Sequence, residues 1–298
     1  MSIQSLSQED DHGRKTPDSL FSIESWEIAS DNLSHLLEDH IETTPKEPPA
    51  NYLWDHPAVK PASYFGTTLS IVPVFPVQGL YYLPNLIDDT TEQEWMTDLA
   101  YLNWSDNPAN NQMMFFSRPT VTLANSSQEP MVSHSFLNWP TFLIGLINRL
   151  PGLLLTANPE NLGGLNDLLI GPSKSTLPWQ AIINLYRPGE GIEQHVDMID
   201  RFDDVILGIS LGSNTAMKFQ PLGEENLNTN QELYLEQRSG YFLSHDARFN
   251  WTHGIEQNKL YDLVHDIPNN ETRTIKRART RISITIRRLK PEADLLKS

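Results

Sequence analysis

The most regular segment of the chain reads Arg279-Thr280-Arg281-Ile282-Ser283-Ile284-Thr285-Ile286-Arg287. From Arg281 onward polar and apolar residues alternate strictly. This period of two predicts a β-strand, because successive side chains of a strand point to opposite faces of the sheet. One face then carries arginine, serine, threonine and arginine, and the other carries three isoleucines. Such a strand is either a basic, solvated edge strand or part of a sheet that lines a polar cavity.

If the polar face lines a cavity, its two arginines suit a ligand that has two carboxylates. A guanidinium group matches a carboxylate with two parallel hydrogen bonds. Arg281 and Arg287 are therefore candidate ligands of a dicarboxylate such as 2-oxoglutarate. On an earlier predicted strand, Asn184 and Tyr186 share a face and offer neutral hydrogen-bonding groups to the same ligand. The alternative for Tyr186 is an ordinary buried tyrosine whose hydroxyl is satisfied by the protein.

A candidate metal site begins at His195 and Asp197, which are two residues apart. In an extended segment, side chains at this spacing point to the same side. His253, in Trp251-Thr252-His253-Gly254, offers a third ligand. Two histidines and one carboxylate form the facial triad of non-haem Fe(II) oxygenases. The His-x-Asp pattern is short, and chance matches are easy among nine histidines. A zinc hydrolase could use the same ligands but leaves the polar face of the last strand unexplained.

The remaining patterns place helices before strands. A capping box at Thr91–Glu94 predicts one helix, and Pro140 suits the first turn of a second. Residues 104–130 are polar and mixed, which predicts a long loop region. Strands are predicted at residues 180–186, 205–211, 215–220, 232–236, 241–244 and 279–289. We expect an α+β fold whose core is a double-stranded β-helix, or jelly roll, flanked by helices.

Composition separates an acidic tail from a folded domain. Residues 1–65 are rich in Ser, Glu, Asp and Pro and predict a disordered tail, whereas residues 66–298 predict one domain that contains both sites.

The formal net charge is −16, yet residues 273–290 contain eight basic residues and no acidic one. An acidic chain is not a generic nucleic-acid binder, although this basic run could contact phosphates at the cavity rim.

Two absences narrow the class of protein. The chain contains no cysteine, which excludes disulfides, thiolate metal sites and a cysteine nucleophile. It also has no apolar run long enough for a transmembrane helix, so no membrane association is expected. We expect an intracellular protein of the cytoplasm or nucleus; its oligomeric state cannot be inferred.

Taken together, the motifs resemble those of the AlkB-like family of Fe(II)/2-oxoglutarate-dependent dioxygenases. The matching stretches are Asn184–Asp197, Ala247–Ile255 and Arg281–Arg287, and the resemblance covers about residues 72–290. It implies that Fe(II) is bound by His195, Asp197 and His253. It implies that 2-oxoglutarate is bound by Asn184, Tyr186, Arg281 and Arg287. O₂ is then the co-reactant, and succinate and CO₂ are released. It implies that residues 104–127, including the stretch from Phe115 to Arg118, correspond to a lid over the substrate. Because Ser117 and Arg118 follow two aromatic residues, this stretch could stack on a base and contact a phosphate; the alternative is a loop held by a small apolar cluster.

The resemblance leaves the substrate open. Nucleic-acid-repairing members usually carry an acidic residue four positions after the first iron histidine, where this chain has Ile199. The stretch from Phe202 to Ser213 is similar to the branch that hydroxylates modified uridine in tRNA. We expect hydroxylation or demethylation of a nucleic acid, RNA before DNA, with tRNA or alkylated DNA or RNA as the partner. The alternatives are a protein side chain, a lipid, or a non-catalytic binding module.

Overall fold

The computed structural model describes residues 71–74, 76–102, 111–122, 131–156, 164–223, 230–266, 271–277, 279–291 and 293. The predicted acidic tail, residues 1–65, lies outside the described residues, so the domain boundary near residue 66 stays a prediction. Among the described helices, none is both long and apolar enough to cross a membrane.

β-Strands are the predominant secondary structure of the described chain. A seven-stranded antiparallel sheet contains, in spatial order, β1 (Val72–Pro73), β2 (Leu80–Leu83), β11 (Ser239–Leu243), β8 (Phe202–Leu211), β15 (Arg281–Leu289), β6 (Trp179–Tyr186) and β3 (Gln112–Phe116). A four-stranded sheet contains β10 (Gln231–Leu235), β9 (Thr215–Pro221), β12 (Trp251–Ile255) and β7 (Ile192–His195). Two separate hairpins pair β4 (Arg118–Thr122) with β5 (Met131–Ser135), and β13 (Tyr261–Asp266) with β14 (Glu271–Lys276).

Helices are few and mostly short. They are α1 (Asp89–Tyr101), α2 (Thr141–Thr156), α3 (Leu165–Ile170), a 3₁₀ turn (Pro172–Lys174) and α4 (His245–Phe249). The capping-box prediction set the start of α1 too late. The N-cap is Asp88, whose carboxylate accepts a hydrogen bond from the Thr91 amide at 2.7 Å. Threonine and aspartate are both good N-cap residues, so the sequence does not distinguish Thr91 from Asp88. The backbone conformation makes Asp88 the N-cap.

The isoleucine face of β15 is covered by helices. Ile282, Ile284 and Ile286 are buried in one cluster with Trp95 of α1 and Leu143 of α2. Burying a large aliphatic side chain stabilises the fold by about 1.5–3 kcal/mol, so three in a row hold this strand firmly against the helices. The polar face of β15 therefore points to the other side of the sheet, and the solvated-edge alternative is wrong.

A second buried cluster lies between the two larger sheets. Ile206 and Tyr241 of the seven-stranded sheet pack there with Met217 and Phe219 of the four-stranded sheet. The two sheets therefore face each other in a jelly-roll-like arrangement, with helices on the far side of the larger sheet. The α+β label describes this fold loosely, because the described chain is mostly β with few helices.

Part of the predicted loop region forms β-strands instead. β3 and β4 occupy residues within 104–130, where the composition indicated irregular structure. β3 is an edge strand that pairs antiparallel with β6, from Gln112 opposite Asn184 to Phe116 opposite Gln180. Edge strands are hard to recognise in a sequence because partial exposure weakens the alternating pattern that a half-buried strand shows.

The β13–β14 hairpin, which the patterns did not predict, is anchored by a buried ion pair. Arg277 donates from Nε to Asp262 Oδ2 at 2.7 Å and from Nη2 to Asp262 Oδ1 at 2.5 Å. Asp262 also accepts a bond from the Ala216 amide at 3.1 Å, which ties the hairpin to β9. Arg277 is only 5% exposed, so it cannot join the phosphate-contacting run expected from the sequence.

Removing one member of this pair is expected to destabilise the protein. Asp262→Ala leaves a buried guanidinium without its partner, at a cost of about 3–5 kcal/mol in the free energy of unfolding. Urea denaturation monitored by circular dichroism measures the loss. The control is Thr274→Ala, on the exposed face of the same hairpin. Equal stabilities of the two variants would contradict an anchoring role for the pair.

Candidate active site

Three potential metal ligands converge on neighbouring strands. His195 ends β7, and His253 lies opposite it on β12 in the antiparallel register. Asp197 follows β7 by two residues and lies in the connection to β8, where the expected strand geometry no longer applies. One ligand atom from each of the three side chains lies within 4.8 Å of the others. His253 Nε2 is 3.5 Å from Asp197 Oδ2, and the two imidazole centroids are 4.4 Å apart.

The state of each imidazole suits metal binding. His195 Nδ1 is 2.8 Å from the Glu193 carbonyl oxygen, which can only accept, so Nδ1 carries the proton and Nε2 keeps a lone pair for a metal. His253 Nδ1 is buried without a hydrogen-bond partner among the described residues. Its other ring nitrogen, Nε2, faces Asp197 Oδ2 and is therefore the candidate metal-binding atom. Two imidazoles and one carboxylate are suitable donors for Fe(II).

The charges of the cluster also match this role. Burial alone would raise the pKa of Asp197, but Arg287 and then His253 outweigh it and lower this pKa to about 2. Burial, together with the neighbouring His195, lowers the pKa of His253 to about 3. At neutral pH the cluster therefore presents an ionised carboxylate and a neutral His253, which are the forms that bind a metal ion.

These pKa shifts predict that the metal-free protein loses stability in mild acid. The unfolded chain takes up a proton at residue 253 below its ordinary pKa of 6.5, whereas the folded chain resists protonation until about 3. Stability therefore falls as the pH drops below 6.5, by on the order of 2 kcal/mol at pH 4.5. The contribution of Asp197 is lost later, as the pH falls from 3.8 to about 2.

The check compares urea denaturation of metal-free wild type and His253→Asn at pH 7.0 and at pH 4.5. Taking the difference between the two proteins cancels the contributions of other titrating groups. The pH dependence of wild type should be steeper than that of the variant. Parallel pH profiles would show that His253 titrates normally in the folded chain.

The four predicted cosubstrate residues all come from the paired strands β6 and β15. Arg281 lies opposite Tyr186, and Ser283 lies opposite Asn184. Arg281 is 6% exposed, donates from Nε to Ser210 Oγ at 2.9 Å, and its guanidinium carbon is 5.4 Å from the centre of the Tyr186 ring. Burial raises the pKa of Tyr186, so its phenol stays protonated and can donate a hydrogen bond.

Two neighbours of this group were missed in the sequence. Gln112 of β3 donates from Nε2 to Asn184 Oδ1 at 2.8 Å, and Ser210 of β8 binds Arg281. Gln112 belongs to no recognised motif, and the stretch from Phe202 to Ser213 gave no sign that Ser210 lies beside Arg281. Pairing across the sheet alone brings them to the site, so no local signal could have identified Gln112 while β3 was read as loop.

Arg287 lies nearer the metal ligands than the sequence indicated. Its Nη1 forms a short ion pair with Asp197 Oδ1, and its Nε donates to Gln180 Oε1 at 2.6 Å. The guanidinium carbon is 3.4 Å from the centre of the Phe202 ring. Burial lowers the pKa of Arg287 to about 10, which still leaves it charged at neutral pH. Arg287 thus holds one oxygen of the candidate metal-binding carboxylate and leaves Oδ2 toward His253.

A cleft of about 420 Å³ opens beside Tyr186. Its walls include Asn111, Glu190, Gln257, Asn258 and Leu260. These side chains are mostly uncharged hydrogen-bonding groups. The cleft reaches from the protein surface to the strand that carries the candidate cosubstrate residues.

Two predicted substrate contacts have different surroundings. Ser117 is buried and accepts a hydrogen bond from the Trp179 amide at 2.8 Å, which is a contact within the fold. Arg118 is exposed on β4. Ile199 is also exposed, at 53%, just beyond Asp197. Of the predicted lid, residues 104–110 and 123–127 lie outside the described part of the chain.

A family model described as the 2OG-Fe(II) oxygenase superfamily matches residues 79–287, which include every candidate site residue. The chain belongs to this superfamily. It is therefore an oxidoreductase whose family uses Fe(II), 2-oxoglutarate and O₂.

Individual relatives support the AlkB-like resemblance. Uncharacterized protein L905 of Acanthamoeba polyphaga mimivirus is 36% identical over 153 residues, 50% of this chain and 62% of that protein. The Xenopus tropicalis tRNA (carboxymethyluridine(34)-5-O)-methyltransferase alkbh8 is 35% identical over 123 residues, 38% of this chain and 19% of that protein. The Arabidopsis thaliana alkylated DNA repair protein ALKBH8 homolog is 29% identical over 125 residues, 37% of this chain and 34% of that protein. The matches thus span less than two thirds of each relative.

Proposed function

We propose that this oxygenase hydroxylates or demethylates a modified nucleic acid, with RNA favoured over DNA. A His-Asp-His cluster, whose histidines lie on the four-stranded sheet, is joined through the ion pair of Asp197 with Arg287 to the seven-stranded sheet, which also carries the Arg281, Tyr186 and Asn184 group. This arrangement is the observation that carries the proposal. The first group suits a divalent metal, and the second suits a carboxylate ligand. The fold and the family match support the same chemistry.

Each residue has a defined part in this proposal. His195, Asp197 and His253 hold Fe(II), with Asp197 binding through Oδ2. Bound iron supplies the position at which O₂ and 2-oxoglutarate react to give succinate, CO₂ and an oxidised substrate.

The chain's own residues bind and orient the reactants. Arg281, Tyr186 and Asn184 hold one carboxylate of 2-oxoglutarate. Arg287, which lies close to Asp197, takes the other carboxylate through donors that the aspartate leaves free. The apolar cluster between the sheets, including Phe219 beside His253, limits the access of water to the reacting groups.

Three observations support a nucleic-acid substrate. The names of the frog and plant relatives refer to tRNA and to alkylated DNA. Lys276 and Arg279 are exposed at the base of the β13–β14 hairpin, and neither forms a salt bridge with a described residue. Ile199 cannot accept a hydrogen bond from an exocyclic amine, which favours modified uridine over methylated adenine or cytosine.

A protein substrate is the second candidate, and the net charge of −16 favours it because a strongly acidic surface repels a phosphate backbone. The test measures succinate release with Fe(II), ascorbate and 2-oxoglutarate against modified tRNA, methylated DNA and methylated peptides. His253→Ala is the inactive control. Stimulation by tRNA above the other substrates is expected. Stimulation by peptides alone, with no tRNA binding at low salt, would transfer the proposal to proteins.

A further inference from the structure

Arg248 is among the most deeply buried polar residues near the candidate metal site. It lies on α4, is 1% exposed, and precedes His253 by five residues. Among the described residues, its guanidinium donates to four backbone carbonyls. The four bonds run from Nη1 to Asp197 O at 2.8 Å, from Nη2 to Met198 O at 3.2 Å and to Phe202 O at 3.3 Å, and from Nε to Asp203 O at 3.4 Å.

All four carbonyls lie in one segment, the run from Asp197 into the start of β8. Asp197 itself belongs to no strand, so no ladder of sheet hydrogen bonds fixes its backbone. The bond from Arg248 to the carbonyl of Asp197 is the shortest of the four. Arg248 therefore replaces the missing ladder at the residue whose side chain must face the two histidines.

The chemistry of the contact explains why this residue is an arginine. A guanidinium offers five donors in a rigid plane, so one side chain can bind several carbonyls at fixed angles, whereas a lysine ammonium is a compact, flexible donor. Arg248 forms no salt bridge with a described residue, and a buried charge is costly unless its donors are satisfied. Here four carbonyls accept bonds from four of the five donors, and such a network rigidifies the chain around it.

The position of Arg248 in the chain adds a second connection. α4 leads directly into β12, which carries His253, while the carbonyls that Arg248 binds belong to the segment of Asp197. One side chain thus links the backbone that carries one histidine to the backbone that carries the carboxylate. His195 is placed separately, by the pairing of β7 with β12.

We propose that Arg248 is a positioning residue that sets the metal affinity of the site by fixing the backbone of Asp197 relative to His253. The inference rests on the proposed metal-binding role of these two residues. It extends that role to a side chain that does not itself touch the metal, the cosubstrate or the substrate.

Arg288 provides a matched control. It is also a buried arginine, at 5% exposure, and it donates to the carbonyls of Leu169 at 3.3 Å and Leu177 at 2.6 Å. Its guanidinium carbon is 3.6 Å from the centre of the Trp179 ring. Neither carbonyl belongs to a segment that carries a metal ligand. Loss of Arg288 removes a comparable set of buried bonds, so it reports what a purely structural arginine contributes.

The experiment titrates Co²⁺ into the metal-free, full-length protein and follows the visible absorbance of the bound ion. Wild type, Arg248→Met, Arg248→Lys and Arg288→Met are compared, and thermal melting is recorded for each. Arg248→Met is expected to raise the Co²⁺ dissociation constant by about 10- to 100-fold, the range typical of residues that orient metal ligands. Arg248→Lys should lie between wild type and Arg248→Met. Arg288→Met should melt earlier but bind Co²⁺ like wild type.

Equal Co²⁺ dissociation constants for Arg248→Met and Arg288→Met would overturn the inference and leave Arg248 a structural residue. If Arg248→Met does not fold, Arg248→Lys is compared with Arg288→Lys, and equal affinities for that pair would be equally decisive. A wild-type protein that binds no Co²⁺ would overturn the proposed metal site itself. That result is distinct, because it appears before any variant is tested.

Discussion

Replacing His253 with alanine is expected to abolish 2-oxoglutarate turnover and to leave the protein folded. The substitution removes one of three metal ligands, so the two that remain should hold Fe(II) too weakly for turnover. The imidazole is buried; its Nδ1 forms no hydrogen bond to a described residue, and its Nε2 is 3.5 Å from Asp197 Oδ2, a contact that is an ion pair only when the ring is protonated. At neutral pH the ring is neutral, so its loss should cost little stability. Succinate release measures turnover, and the circular dichroism melting curve reports folding.

The control for this variant is His245→Ala. His245 lies on α4, close in sequence; it is exposed, and its Nδ1 is 3.1 Å from the Ser244 hydroxyl. It should retain the turnover of wild type. Full succinate production by His253→Ala would remove His253 from the ligand set and return the site to the two-residue His-x-Asp motif.

Asp197→Ala is expected to differ from His253→Ala in its effect on stability. Asp197→Ala should abolish turnover as well, but it also leaves the buried Arg287 without its ion-pair partner. The free energy of unfolding should therefore fall by about 3–5 kcal/mol, a loss that His253→Ala does not share.

Replacing Arg281 with lysine is expected to weaken 2-oxoglutarate binding by about 10- to 100-fold. Lysine keeps the positive charge but cannot form two parallel bonds to a carboxylate, and a lost charge-assisted bond costs about 1.5–3 kcal/mol. Arg281 is buried beside Tyr186, where water cannot replace the missing donor. The apparent affinity for 2-oxoglutarate comes from succinate release at varied cosubstrate concentration.

Arg279→Lys serves as the matched control for that measurement. Arg279 is two residues before Arg281, so both would share a face if the strand began earlier. However, Arg279 precedes β15 and is exposed. It should bind 2-oxoglutarate as wild type does. An unchanged affinity in Arg281→Lys would show that the cosubstrate carboxylate lies elsewhere in the cavity.

Short-range sequence patterns were sufficient to predict several features of this protein. The alternation in β15 requires its isoleucines and its arginines to lie on opposite faces, because the strand period leaves no other arrangement. The isoleucines do pack under α1 and α2, and Arg281 and Arg287 do lie on the inner face. The spacing of His195 and Asp197 was likewise informative, although Asp197 lies just beyond its strand.

Long-range pairing accounts for the features that the patterns did not show. β3 becomes a strand because β6 offers it an open edge, and this brings Gln112 to Asn184. Arg277 looked like part of a solvated basic run, yet the fold of the hairpin buries it against Asp262. The sequence alone does not show whether a charged side chain is exposed to water or buried in an ion pair with a carboxylate.

The sequence therefore established the residue types of the site, the alternation of its main strand and the class of chemistry. These properties are local, since they depend on neighbours two to a few residues apart. Tertiary structure assigned the partners: Asp197 to Arg287, Arg277 to Asp262, and the Asp197 carbonyl to Arg248. Each of these contacts joins residues at least 15 positions apart. Only the packing of the sheets brings such residues together, because no local periodicity relates positions that far apart along the chain.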